Sequence, residues 1–294
     1  MPDIYFPHLG IALEDVNRVA FSLGGINIFW YGILIATAVL AAAFFCVREV
    51  KRTGQNVDHY YELLGIGIFA AIIGLRLFYV AFNWEAYAAD PIRIITGIRM
   101  GGLAIYGGII ASVVAVFAVS RWRKMDMRLV LDTCAPVFAL GQAIGRWGNF
   151  INREAFGEFT NSLFAMRLRL PGPGDGFGIS ASNITQCMRD NMVAAYGAQY
   201  IQVHPTFLYE SAWNLAVFVA LTLYRPRKRF HGEIFGLYLL CYGVARFFIE
   251  GLRTDQLLLA GLPVNQLLSG GLAVGAAAVL AYFWVRVWQK RKKA

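Results

Sequence analysis

Charge is what this chain has least of. Asp, Glu, Lys and Arg make up 15% of its 294 residues, against roughly 25% in an ordinary soluble domain. With 58% hydrophobic residues and a mean hydropathy of +0.52, that scarcity excludes a water-soluble globule and indicates a polytopic membrane protein. Cysteine is scarce too, with four in all. Cys46, Cys134 and Cys241 lie in apolar runs and Cys187 in a long polar segment. No pair has metal-ligand spacing and a disulfide framework is not indicated, so they read as small buried hydrophobes. The N-terminus carries Asp3, Glu14 and Asp15 and no basic start to an apolar run, which argues against a cleavable signal peptide. No glycine-rich phosphate loop follows a strand, and there is no serine-hydrolase elbow. Internal repeats and low-complexity tracts are also missing. The net charge of +9 comes from short basic clusters between apolar runs. That is the pattern of orientation signals and headgroup contacts, which sets nucleic acid aside as a partner.

Apolar runs of about 20 residues are what is present, and that length spans a bilayer. Seven are expected: 28–47, 63–82, 103–120, 129–148, 206–224, 232–250 and 266–285. The fold class is therefore an all-α polytopic membrane protein, one integral-membrane domain over 1–294. A small extracytoplasmic head is expected at 149–205, between spans four and five. Within it, Pro171-Gly172-Pro173-Gly174-Asp175-Gly176 marks a turn. Pro136 lies inside the fourth span, and the Gly141/Gly145 and Gly271/Gly275 pairs have the small-xxx-small spacing of close helix contacts.

Seven spans put the termini on opposite sides. Segments 48–62, 121–128, 225–229 and 286–294 share one side and hold sixteen Lys/Arg; the longer segments on the other side hold eight. The positive-inside rule places the C-terminus in the cytoplasm and the N-terminus outside.

The unusual polar residues then fall at one level. Tyr31 opens span one, and Arg76 and Tyr79 lie in the outward part of span two. Tyr106, before Gly107-Gly108, opens span three. Arg146 and Asn149 close span four, followed by Asn152, Arg153 and Glu154. His204 and Glu210 flank the start of span five, Arg246 and Glu250 close span six with Arg253 beyond, and Gln266 opens span seven. The inner halves are nearly free of such groups. An arginine at a helix centre costs about 2.5–3.5 kcal/mol on insertion scales, so several together indicate use. Arg246, Glu250 and Arg253 share one helical face, as do Arg146, Asn149 and Arg153 if the helix continues. The guanidinium's planar fork suits phosphate. The convergence predicts a polar cavity that opens to the outer leaflet and takes an anionic partner. His204, beside Pro205, reads as a turn residue, with a general base as the alternative.

Gly145-Arg146-Trp147-Gly148-Asn149-Phe150-Ile151-Asn152-Arg153-Glu154-Ala155-Phe156-Gly157 matches in full the signature of the bacterial prolipoprotein diacylglyceryl transferases, which this chain resembles over almost its whole length. Supporting matches are Trp30-Tyr31-Gly32, Arg76 with Tyr79, Gly101-Gly102-Leu103 before Tyr106-Gly107-Gly108, His204-Pro205 with Tyr209-Glu210, and Tyr242-Gly243 before Arg246, Glu250 and Arg253. The resemblance implies a seven-span enzyme of the bacterial inner (cytoplasmic) membrane. It implies transfer of the diacylglyceryl group of phosphatidylglycerol to the lipobox cysteine of a preprolipoprotein signal peptide, with a thioether formed and glycerol 1-phosphate released. No metal or organic cofactor is implied. The essential arginines of the family match Arg146 and Arg246, its tyrosine Tyr31 and its asparagine Asn149. Two departures stand out. Tyr106 occupies a position where some members have a histidine proposed as base, and Arg153 replaces a usual small residue, which adds positive charge at the cavity mouth.

The residues fit that chemistry. Negative charge grows on the phosphate leaving group, where Arg146 and Arg246 can stabilise it, and nearby cations favour a thiolate nucleophile. Tyr31, Asn149 and Tyr106 are candidates to bond headgroup oxygens. Glu154, Glu210 and Glu250 are candidates to orient the arginines or accept the thiol proton, with Glu154 placed in the catalytic set. Arg76, Asn152, Glu210, Glu250, Arg253 and Gln266 join Arg146, Arg246 and Asn149 as the lipid-binding set. The competing reading is a transporter or flippase for an anionic lipid or solute, built on the same arginines.

Overall fold

The computed structural model describes residues 1–97, 101–171, 179–256, 258–259 and 262–293. The turn expected at Gly172–Gly176 lies outside the described residues. The helices, in chain order, are α1 (Trp30–Arg52), α2 (Val57–Phe82), α3 (Glu85–Ala88), α4 (Arg93–Thr96), α5 (Ile105–Trp122), α6 (Met127–Asn152), α7 (Gln186–Asp190), α8 (Thr206–Tyr224), α9 (Glu233–Leu252) and α10 (Val264–Lys293). Seven of them, α1, α2, α5, α6, α8, α9 and α10, are long and apolar enough to cross a membrane. All seven expected spans are found, several with ends longer than expected. Local chemistry sets the ends. The Asn56 side chain caps α2 by accepting from the Asp58 N–H, and α9 starts after Gly232, whose φ of 98° suits glycine. α6 runs through Pro136. Mean hydropathy is 2.2 in the windows of α1 and α2 but 1.3 in those of α6 and α8, because the last two carry the polar residues of the site.

The chain divides into two compact units, Met1–Ala42 with Cys134–Ala294, and Ala43–Thr133. The first contains a sheet that the head expected at 149–205 does not build alone. Its strands are β1 (Ile4–Phe6), β2 (Ile11–Leu13), β5 (Met166–Arg169), β6 (Val193–Ala195) and β7 (Ala198–Val203), in the order β2-β1-β5-β7-β6, all antiparallel. The N-terminal strand β1 is thus an interior strand, with Ile4 opposite Leu168. Ile4, Phe6, Met166, Leu168, Ile201 and Val203 form a core with Phe156, Met188 and Phe207. Strands β3 (Val19–Leu23) and β4 (Ile26–Phe29) make a separate hairpin that leads into α1. A second core packs α6, α8 and α9 through Ala135, Ala139, Val217, Leu221, Ile234 and Tyr238.

In the second unit α2 and α5 meet backbone to backbone. A Cβ on Gly107 would fall 2.1 Å from the Gly74 carbonyl oxygen. In the first unit Gly243 of α9 meets Ser269 O and Ala273 of α10 in the same way. The pairs picked by spacing do not behave so. Gly141, Gly271 and Gly275 face open space, and Gly145 has one distant contact with Ile35. Nor are the opposite helix ends free of buried polar groups. Glu233, wholly buried at the start of α9, accepts from Tyr224 Oη, Trp284 Nε1 and Arg229 N.

Candidate functional site

The first unit gathers the polar residues into one continuous line. Glu210, on the first half of α8, is 5% exposed. Its Oε2 lies 2.6 Å from Arg146 Nη2 of α6, and its Oε1 3.1 Å from Arg246 Nη1 of α9. One carboxylate therefore holds two arginines from two helices. From Arg246 the line continues to Glu250 one turn on, with Nη2 and Oε2 2.5 Å apart as an ion pair outside hydrogen-bond angles. The Asn265 amide of α10 donates to Glu250 Oε1 at 2.9 Å. In the other direction Arg146 Nη1 donates to Asn149 Oδ1 at 3.2 Å. The amides of Asn149 and Asn152 both donate to Glu154 Oε1, at 2.8 and 3.2 Å. The sequence order of the signature explains this end. α6 stops at Asn152, Arg153 and Ala155 take left-handed φ of 55° and 57°, and the turn brings Glu154 back under Asn149, with Glu154 N bonded to Asn149 O at 3.0 Å.

Arg253 continues past the end of α9. It grips Asp255 with two hydrogen bonds, at 2.9 and 2.7 Å, and comes within 4.0 Å of Glu210. Burial alone would lower the guanidinium's pKa, but the bond to Asp255 and the charges of Asp255, Glu250 and Glu210 outweigh it, and the pKa is raised. Burial likewise opposes the Asp255 carboxylate, yet Arg253 and Arg246 hold its pKa below the usual value. A pocket opens beside Arg246, lined by Glu210, Trp213, Asn214, Tyr242, Ala245 and Ile249.

Tyr31 belongs to the same place. The edge of its ring lies against Gly148, where a Cβ would fall 1.8 Å from Cδ2. The second glycine of the signature is there because no larger residue leaves room for that ring. The last, Gly157, sits at a junction of chains. It bonds His204 O through its N–H, and Glu158 N bonds Leu252 O; a Cβ on Gly157 would meet His204 and Leu252 within 2.9 Å. His204 faces Tyr209 Oη at 3.3 Å. Burial pushes its imidazole below the usual pKa, against the pull of Glu158. Its backbone joins β7 to α8 through bonds to Gly157, Glu158 and Thr206.

Three expectations change. Arg153 does not add positive charge at a mouth. It is 2% exposed, points away from the Arg146–Asn149 face because the helix has ended, and pairs with Asp3 at 2.8 Å. Arg76, in the second unit, is 4% exposed and is committed to backbone. It donates to Ile94 O, Gly101 O, Gly102 O and Arg93 O at 2.8–3.0 Å and lies over the Tyr87 ring. Gln266 donates to Phe247 O at 3.1 Å, which ties α10 to α9 and leaves the line of charges to its neighbour Asn265. Tyr106 sits exposed in the first turn of α5 in the second unit. Asn265 was the residue missed; the signal was a second amide beside Gln266 at the head of an apolar run. Among the described residues, no three His, Cys, Asp or Glu side chains come together as a metal site.

A family model for prolipoprotein diacylglyceryl transferase matches residues 18–282. The chain belongs to the prolipoprotein diacylglyceryl transferase family. It is similar to the phosphatidylglycerol–prolipoprotein diacylglyceryl transferase of Bacillus cereus strain ATCC 14579, 40% identical over 263 residues and 90% of each chain. The proteins of the same name from Bacillus cereus strain B4264 and Bacillus anthracis strain A0248 match to the same extent. The family match covers every residue of the charged line, Arg146, Asn149, Asn152, Glu154, Glu210, Arg246, Glu250 and Asn265. It leaves out Asp3, whose contact with Arg153 lies at the edge of the site.

Proposed function

We infer that this chain is a phosphatidylglycerol–prolipoprotein diacylglyceryl transferase of the bacterial inner membrane, working as one catalytic domain over 1–294. The acceptor is the lipobox cysteine thiol of a preprolipoprotein signal peptide. The cysteine sulfur attacks the glyceryl carbon that bears the phosphate ester. The C–S bond forms as the C–O bond breaks, the electron pair leaves with the phosphate, and glycerol 1-phosphate departs. The thiol proton goes to a base. The single observation that supports the chemistry best is the pairing of Arg146 and Arg246 on the two oxygens of Glu210. Two guanidiniums are thereby preorganised side by side in a site poor in water, where charge that develops on a leaving phosphate is stabilised most.

The remaining roles follow from position. Glu154, steadied by two amides, is the proposed proton acceptor. Asn149 and Tyr31 bond headgroup oxygens; for Tyr106 the same role rests on the sequence pattern alone. Arg253, Asn152 and Glu250 keep the charged line in register. Arg76 and Gln266 act at one remove, by fixing backbone. The sixteen basic residues on one set of segments and eight on the other support a cytoplasmic C-terminus, with the N-terminus and head outside.

The deciding experiment follows labelled glyceride from phosphatidylglycerol to a lipobox peptide, with its cysteine and with serine in its place. It uses purified protein in detergent with chelator present. Thiol-dependent transfer with release of glycerol 1-phosphate is expected. Tight binding of the lipid without transfer would overturn the enzyme reading in favour of a lipid carrier.

A further inference from the structure

Arg153 is among the largest fully buried side chains of the protein, and it stands between Asn152 and Glu154. Its backbone is left-handed, at φ 55°, an unfavourable conformation for a residue with a Cβ. Its guanidinium is removed from water, which is tolerated only where the charge is met. What meets it lies at the far N-terminus. Arg153 Nη2 is 2.8 Å from Asp3 Oδ2 and donates to Val16 O at 2.9 Å. Asp3 is itself built in. Its Oδ2 accepts from Val16 N and its Oδ1 from Arg169 Nε of β5, both at 2.9 Å. Its backbone bonds Leu13 O and Arg169 N on either side. A rigid sheet thus holds a carboxylate against the one residue whose turn returns Glu154 to Asn149.

We propose that Asp3 is a positioning residue of the transferase, which grips Arg153 and so fixes the left-handed turn that presents Glu154 to Asn149 and Asn152. The proposal rests on the proton-accepting role given to Glu154 above. A purely structural Asp3 would hold the head together and leave turnover per folded molecule unchanged. A positioning Asp3 acts through Glu154 alone.

The test compares the full chain with Asp3→Asn, Glu154→Gln and the double variant, in the glyceride-transfer assay and by thermal unfolding in detergent. Asp3→Asn is expected to lower kcat about tenfold at unchanged KM for phosphatidylglycerol, since a displacement near 1 Å at a reacting group costs up to about a hundredfold. The double variant is expected to match Glu154→Gln, because the two losses share one route. Full kcat in Asp3→Asn, or losses that multiply in the double variant, would overturn the proposal. If Asp3→Asn fails to fold, Asp3→Glu replaces it. That variant keeps the charge but shifts the grip, so a lowered kcat in folded protein supports positioning and an unchanged kcat overturns it. An inactive parent chain would instead refute the transferase reading.

Discussion

Arg76 and Arg146 are both arginines inside apolar helices, yet their guanidiniums have opposite company. Arg76 is surrounded by the neutral carbonyl oxygens of Arg93, Ile94, Gly101 and Gly102, and the bonds tie those residues to α2. Arg146 faces a carboxylate and an amide of other site residues, and shares that carboxylate with Arg246. Carbonyl partners use up the donors and leave the charge as a scaffold. A shared carboxylate balances two charges and keeps them adjacent, with side chains still 22% and 14% exposed. An intramembrane arginine marks function only when its partners are themselves side chains of a site.

The largest effect expected is on Glu210. Glu210→Ala leaves Arg146 and Arg246 without their common partner, and breaking a buried pair in this way costs about 3–5 kcal/mol. Unfolding in detergent should show that loss, with Glu210→Gln retaining more of the stability. Next, Arg146→Ala or Arg246→Ala should lower transfer about 10²–10³-fold, the range for loss of one transition-state donor. Arg76→Ala should instead lower the unfolding midpoint and leave kcat of the folded fraction nearly intact. Equal loss of kcat in Arg76→Ala, without a change in midpoint, would erase the contrast. Gly148→Ala should act on the site without touching a charge. The added Cβ displaces the Tyr31 ring, with about a tenfold loss of kcat expected and a normal helical circular dichroism spectrum. The smallest effect concerns Asp255. Arg253 and Arg246 hold its carboxyl below the usual value, about 3.9. Its contribution is therefore complete above that pH and fades as pH falls through the folded value. The midpoint difference between the parent chain and Asp255→Asn should stay constant from pH 7 to 5 and shrink as pH falls through the lowered folded value.

The seven spans were legible because a run of about 20 apolar residues has one inexpensive place to go. Arg146, Arg246, Glu210, Glu250, Asn149 and Glu154 were legible for the converse reason, since such groups stay in apolar surroundings only in company. Which company was not legible. The partners of Arg76 are backbone carbonyls, which every residue has, so no pattern of side chains reveals them. Arg153 misled because the face it shares with Arg146 on paper ends one residue early, at the turn after Asn152. The helix contact at Gly74 and Gly107 lies between helices, so spacing along one helix could not find it. The head sheet was invisible for a plainer reason. Strands of three to six residues carry little periodicity, and Ile4 and Leu168 meet across more than half of the chain.

That last pairing also sets a clock. A bacterial chain emerges at about 5–20 residues per second, so β1 waits on the order of ten seconds or more for β5. Four long helices are made in the interval, each able to enter lipid without the head. The first four spans therefore settle before the sheet can close, and with it the grip on the turn that carries Glu154, while the last three spans follow the sheet. Newly made chains should pass through a period of being membrane-embedded but idle, and the delay belongs to the order of the sequence rather than to any slow chemical step.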